Sequence, residues 1–380
     1  MSNRIPFKKV SVVIAAVLSA ALSVGLVLAL LLGAPPAPQV QQGAQLAISK
    51  QFSRSVTNSL SDALTEALDA LPEEVVTIEI PKEYWLSDED LVAPEPDPDA
   101  YGRTTDPKDL EPVIAAAEKL LDGQSLVFTT DVTIAEDSEI VWYRDETILV
   151  ITWKEMHDYK EYTFSEVKIH HPSQFRRFLS GGEYGSGVLY TASEMAASVN
   201  AVTASSADYY AYRPFGNTVY NGTVMRWGDT LLDTCYVDAN SDLIFVENAE
   251  LYKKEDIEAF VKENDIRFSL AFGPILLRDG EIATGYYYGI GEVEKAYSRA
   301  ALCQQGPLHY VTVTANYGGA NIVRFAQVLQ SKGIMDAYAL DGGQTATIVT
   351  GDMLINRVDY GGERQISDII YFATAIPDGG

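Results

Sequence analysis

The sequence predicts an α+β fold, with a mixed β-sheet and packed helices, preceded by an N-terminal transmembrane helix and stalk. Three observations carry this reading. A charge-free apolar run occupies residues 10–33, a period-two alternation sets in at Ser125, and one strand–helix–strand unit stands close to the end of the chain.

The apolar run is about 24 residues long, enough at about 1.5 Å per residue to cross the hydrocarbon core of a bilayer. Arg4, Lys8 and Lys9 precede it and assign residues 1–9 to the cytoplasm. Ala34 and Ala37 would permit cleavage, but the length favours a retained signal anchor over a cleaved signal peptide. The expected location is the cell membrane, single-pass, with everything after residue 35 extracytoplasmic. Residues 34–112 read as linker, helix and acidic connector. Phe52, Val56, Leu60, Leu64, Leu68 and Leu71 recur at spacings of four and three and end at Pro72, which predicts a helix serving as a stalk or packing on its own domain. The prolines around residues 93–99 interrupt both helix and strand ladders, so an irregular acidic connector is expected there. Asp106-Pro107 then starts a short helix that Gly123 stops.

Residues 113–184 are expected to form an α+β part with an antiparallel meander. Segments 125–133, 138–144, 147–156 and 162–170 alternate as strands, with Arg144-Asp145-Glu146 and Asp158-Tyr159-Lys160 as turns. A short helix is expected over 172–179. Thr191-Ala192-Ser193-Glu194 is a capping box opening a helix. Further on come a strand over 199–204, a polar aromatic loop over 205–221, a helix over 254–262 and a strand over 268–272. Strand 310–314, helix 320–332 and strand 335–340 form a β-α-β unit, expected to make a parallel pair through a right-handed crossover. Strands at 345–350 and 366–373 complete the sheet.

The formal net charge is −25, which excludes nucleic acid as a partner and requires any anionic substrate to find a locally basic pocket. The four histidines and two cysteines have no zinc-ligand spacing, and Cys235 and Cys303 read as buried free thiols rather than a single bridge.

Five segments could carry chemistry. Leu340-Asp341-Gly342-Gly343-Gln344-Thr345 puts a carboxylate at a buried strand end, followed by glycines whose backbone can approach a ligand closely; the alternative is a tight turn. Asp208-Tyr209-Tyr210-Ala211-Tyr212-Arg213 gathers a carboxylate, aromatics for a sugar face and an arginine fork for phosphate; the alternative is a surface loop pinned by tyrosine packing. Phe272-Gly273-Pro274 leads to a hairpin turn at Asp279-Gly280. Arg299 is a lone, partly buried cation that needs a carboxylate or phosphate partner. Gly362-Glu363-Arg364 precedes Ser367-Asp368 at the start of the last strand.

Taken in order from about Gly185 to Ala375, these segments resemble the phosphodiester glycosidase family. Residues 185–380 are accordingly identified as a domain of that kind. The chain departs from the family pattern where Ser206-Ala207 precede Asp208, where Ser298-Arg299-Ala300-Ala301 stand, and at Gln344-Thr345-Ala346-Thr347 and Ala315-Asn316-Tyr317. The resemblance implies a hydrolase of a sugar phosphodiester or a related bond of a cell-surface glycopolymer. It implies Asp341 and Asp208 as the carboxylate pair with Glu363 in reserve. Arg299 and Arg213 would hold phosphate, Gly342-Gly343 would supply N–H donors, and Tyr209 and Tyr210 would line a sugar subsite. Gln344, Thr345 and Arg364 complete the expected binding residues. No metal ligand or cofactor is assigned; a divalent cation is an alternative means of offsetting charge repulsion. The alternative functions are a non-catalytic polysaccharide-binding module and a scaffold of a polymer-export machine.

Overall fold

Two facing hairpin residues with positive φ, Asp158 (50°) and Tyr159 (63°), set the register of the longest meander in the chain. Both central residues of a type I′ turn need φ above zero, and the pairing His157↔Lys160 leaves those two as the loop. The computed structural model describes residues 92–228, 232–247, 251, 253–283 and 293–376. The expected span over 10–33 and the helix over 45–71 lie outside the described residues. None of the described helices is long and apolar enough to cross a membrane.

In chain order the strands are β1 (Tyr101–Thr104), β2 (Ile140–Arg144), β3 (Ile148–His157), β4 (Lys160–Ile169), β5 (Phe175–Leu179) and β6 (Thr203–Ser206). Then come β7 (Thr218–Tyr220), β8 (Thr223–Arg226), β9 (Thr234–Val237), β10 (Leu243–Val246), β11 (Phe268–Leu270), β12 (Ile275–Arg278) and β13 (Glu281–Ile282). The last are β14 (Tyr297–Gly306), β15 (His309–Ala320), β16 (Asp336–Leu340), β17 (Ile348–Thr350), β18 (Met353–Leu354) and β19 (Asp368–Phe372). Nine of them form one sheet in the order β1-β2-β3-β4-β15-β14-β16-β12-β13, and five form a second in the order β18-β17-β6-β19-β5.

The nine-stranded sheet is the middle layer. On one face Trp153, Phe164, Val311 and Ala337 pack against Phe325, Ala326 and Leu329 of the helix Ile322–Ser331 and against Leu110 and Leu121. On the other face Val150, Val167, Leu302, Tyr310 and Tyr338 meet Phe175, Ile370 and Phe372 of the five-stranded sheet. Both faces of β3 are therefore covered, which accounts for its unbroken apolar run Ile148-Leu149-Val150-Ile151. The far face of the five-stranded sheet carries Ala204, Val349, Ile369 and Tyr371 against Ala192, Met195 and Ala196 of the helix Ala192–Ser198. That helix opens on the expected capping box, with Thr191 and Glu194 each bonding the other's backbone N–H.

The α+β reading holds, with four differences of detail. Strands β15 and β16 run in the same direction but do not pair: β14 lies between them, antiparallel to both. The crossover helix therefore spans an interposed strand, which no local pattern announces. Residues 172–179 are not a helix. His171 and Gln174 cap a 3-10 turn at Pro172–Gln174. The chain then extends as β5, because Phe175 stacks on Phe372 (centroids 4.7 Å apart) and pairs with β19. Part of the stretch expected to be irregular is built into the fold, since Tyr101–Thr104 pairs with β2 and the Ala93 N–H bonds the Val199 carbonyl. Finally, residues 125–133 form no strand.

That last departure has a buried cause. The Glu166 carboxylate accepts from the N–H groups of Val127 (2.6 Å) and Phe128 (2.8 Å) and meets His309 Nε2 at 2.7 Å. A side chain thus supplies the acceptors that a neighbouring strand would otherwise provide. Glu166→Ala leaves two buried N–H groups and an imidazole without their partner, and we expect a loss of about 3 kcal/mol, measured by urea denaturation.

Candidate active site

The site is assembled where the ends of β6, β14 and β16 meet the loop preceding β19. Asp341 follows the last residue of β16, and its N–H donates to the Ala207 carbonyl at 2.9 Å, next to Asp208. The two aspartates singled out in the sequence thus stand on adjoining backbone, and each charge reaches the other, although 133 residues separate them in the numbering (341 − 208). Their surroundings are opposite in kind.

Asp208 is enclosed. Oδ1 accepts from Arg213 Nη2 (2.8 Å) and from the Tyr209 N–H (2.6 Å), and Oδ2 accepts from the Ala271 N–H (3.0 Å). Arg177 Nη2 lies 3.6 Å from Oδ2 and 2.6 Å from Asp368 Oδ2. Asp368 in turn accepts from Arg177 Nε (2.6 Å) and from the Asp208 N–H (3.0 Å). Ser367 reaches both Asp368 Oδ1 and the Asp208 carbonyl, at 3.0 Å each. The side chains of Arg177, Asp208 and Asp368 have no solvent exposure, and Arg213 retains 3 %. Burial would raise Asp208, but Arg213, Arg177 and the two N–H donors outweigh it and hold its carboxyl below the usual range. Asp368 moves the other way. Burial raises it, and although Arg177 opposes this, the neighbouring charge on Asp208 adds to the rise. One shared guanidinium does not neutralise both groups, so Asp208, with two, is the better ionised.

Among the described residues no guanidinium stands within ion-pair distance of Asp341, and burial pushes its carboxyl up to about 7. Thr345, Arg364 and Arg213 offset part of the rise and Asp208 adds to it. Only glycine fits after it: a Cβ on Gly342 would stand 2.6 Å from the Ser298 carbonyl, and Gly343 has φ +68°. Thr345 Oγ1 donates to Gly342 O (2.7 Å), and Gln344 Nε2 donates to Gly362 O (3.0 Å), tying this turn to the loop before β19.

The remaining expected residues divide. Arg364 lies over the rings of Tyr212 (4.8 Å) and Tyr209 (5.9 Å), which stack on each other at 4.8 Å. The charge of this half-buried Arg364 reaches Asp341, whose rise it opposes. Tyr210 turns inward instead, stacked on Tyr184 and under Arg177. The Ala300↔Leu340 pairing puts Arg299 across from Asp341 at the strand ends, while its Nε and Nη2 donate to the carbonyls of Ala320 and Lys295. Glu363 accepts from the Ser193 N–H (3.0 Å) at the start of the helix Ala192–Ser198. Arg177, Asp368, Tyr184 and Arg226 were given no role from sequence. Their one signal is Arg176-Arg177 set inside the apolar stretch Phe175–Leu179, where a buried charge demands a partner. Among the described residues no group of three His, Cys, Asp or Glu side chains could hold a metal ion. Cys235 and Cys303 are free and buried.

Truncating one member of the network strands its partner in a dry site. We expect Arg177→Leu and Asp368→Ala each to destabilise by about 3–5 kcal/mol, and the double variant by much less than the sum, as a double-mutant denaturation cycle would read.

The phosphodiester glycosidase family model matches residues 194–373. Among solved structures, the chain is similar to the zebrafish N-acetylglucosamine-1-phosphodiester alpha-N-acetylglucosaminidase catalytic domain auto-inhibited by its pro-peptide. Identity is 17%, over 67% of this chain and 92% of that one, with a TM-score of 0.49. It is also similar to a hypothetical protein from Synechocystis, at 15% identity over 60% and 62% of the two chains and a TM-score of 0.40. No curated protein matches it. The stretch that matches the phosphodiester glycosidase family, residues 194–373, holds Asp208, Arg213, Arg299, Asp341 and Asp368.

Proposed function

We propose that this chain hydrolyses the glycosidic bond of a sugar phosphodiester in a cell-surface glycopolymer, with Asp341 as the reacting carboxyl. The single observation behind this reading is the contrast between two adjacent carboxyls. Asp208 is held ionised by two guanidiniums, whereas Asp341 stands near 7, where it can exchange a proton at working pH.

Only one carboxyl is then free for the chemistry, and a phosphate leaving group makes one sufficient. A phosphate ester has a second pKa near 6, so it departs as an anion without full protonation. Asp341 accepts a proton from water as the water oxygen bonds to the anomeric carbon. The bond from that carbon to the phosphate oxygen breaks, and its electron pair leaves with the phosphate monoester. Arg364 offsets the departing charge, and Tyr209 and Tyr212 receive the sugar face. Asp208 and Arg213 act as positioning residues, holding the turn that presents Asp341. Glu363 serves as a helix cap rather than as a proton carrier. A second reading, a polysaccharide-binding module without turnover, is favoured by this same commitment of Asp208 and Glu363 to structure.

Asp341→Asn should abolish turnover of a chromogenic glycosyl phosphodiester. Because the carboxyl's pKa is raised on folding, the native state binds the extra proton between the unfolded value and about 7, so its ionisation lowers stability as pH rises through that window. The Asn variant should therefore melt no lower than the parent at pH 8. For the parent, kcat/KM should climb with pH through about 7, because the base must be unprotonated. A turnover-competent Asn variant would remove Asp341 from this role.

The membrane setting is part of the proposal and rests on residues 10–33 and the preceding Arg4, Lys8 and Lys9. The full chain should sediment with membranes, and protease added outside should release nearly all of it. Soluble full-length protein in the cytoplasm would contradict this.

A further inference from the structure

A cavity of about 610 Å³ adjoins the site, lined in part by the glycine-rich turn Gly185-Ser186-Gly187 and by Tyr210, Arg213 and Arg226. That volume lies within the range of small-ligand sites, roughly 300–1,000 Å³. Its lining contains two arginines and no carboxylate. In a chain of formal net charge −25 such a lining is a local reversal of sign.

Both guanidiniums have donors to spare. Arg213 is 5 % exposed; Nη2 serves Asp208 and the Ala271 carbonyl, while Nε and Nη1 are buried with no hydrogen-bond partner. Arg226 is aimed by its own backbone contacts: Nε donates to Gly216 O (3.0 Å), and Nη1 to Tyr210 O (2.8 Å) and Arg213 O (2.7 Å). Its Nη2 is left buried and unpartnered. Unsatisfied buried N–H groups on a charged fork are costly, and an oxyanion is the partner that suits two such forks. The stacked Tyr184 and Tyr210 rings, centroids 5.3 Å apart, give the cavity a flat apolar side next to its cations.

This cavity is not the place where Arg364 lies. Arg364 sits over Tyr209 and Tyr212, and of those three only Tyr212 also lines the cavity. Two cationic positions therefore flank one tyrosine. We propose that the cavity is a second anion subsite, taking the phosphate or carboxylate of the neighbouring unit when the substrate is a glycopolymer with repeated negative groups. The proposal rests on the sugar-phosphodiester reading above and narrows its substrate to a chain with more than one charge.

The test measures binding, not turnover, so it survives a failure of the catalytic reading. Full-length protein carrying Asp341→Asn would be titrated calorimetrically with methyl glucosyl phosphate, with one anionic group, and with a glucosyl phosphate dimer bearing two. A two-uronate oligosaccharide distinguishes carboxylate from phosphate. The expected result is tighter binding of one of the doubly charged ligands. The added variants Arg226→Gln and Ala211→Glu should lower the preference for two charges over one at least tenfold. Ala211 is exposed and lines the cavity, so a carboxylate there opposes the anion without disturbing the core, and circular dichroism would verify its fold. Equal affinity for singly and doubly charged ligands, or an unchanged preference in folded Ala211→Glu, would overturn the proposal.

Discussion

Two buried guanidiniums facing two buried carboxylates hold the candidate site together. Arg177 comes from β5, Asp368 from the start of β19, and Asp208 and Arg213 from the segment leaving β6. Each charge would be prohibitively costly alone in a dry interior. They are tolerable only as a set, and so the three chain segments that carry them must arrive at one place. The backbone is drawn in by the same atoms. Asp208 fixes the Ala271 N–H, Asp368 fixes the Asp208 N–H, and Ala207 receives Asp341. The network therefore sets where the β16 strand end stands.

The division of labour between the two aspartates is electrostatic. Neighbouring carboxyls with different surroundings acquire different proton affinities, and a site can use one as fixed charge and the other as a proton carrier. Here Asp208 has its counter-ions within contact distance, whereas Asp341 feels them at longer range and is raised chiefly by burial. Acidity over the surface and basicity in the cleft fit together in the same way. A strongly negative exterior discourages indiscriminate anion binding, whereas Arg213 and Arg226 gather positive charge in one cavity.

Much of this was legible in the sequence, and for identifiable reasons. The meander β2-β3-β4, the capping box at Thr191, the Asp279-Gly280 turn and the Asp341 strand end are all announced by local signals, a period or a turn residue. What escaped was non-local. The pairing of β14 between β15 and β16 depends on a choice of neighbours that no window of ten residues contains. The helix expected over 172–179 became β5 because Phe372, nearly two hundred residues away, offers a better face than solvent. Arg177 and Asp368 were unassigned for the same reason: a buried ion pair is a property of two distant positions together, 191 residues apart. Asp208 was readable as a site residue, but its commitment to Arg177 was not.

The position of β19 has a consequence for the order of assembly. It lies in the interior of the five-stranded sheet, between β6 and β5, yet it is the last strand of that sheet to be synthesised. Until the chain has been made through Phe372, β5 and β6 have no partner between them, and Arg177 has no counter-charge from Asp368. Sequence-distant pairings of this kind close slowly, because the loop must be ordered before the contacts that reward it can form. The five-stranded sheet thus stays split at its centre, and the Arg177–Asp368 pair unmade, until β19 itself has been synthesised.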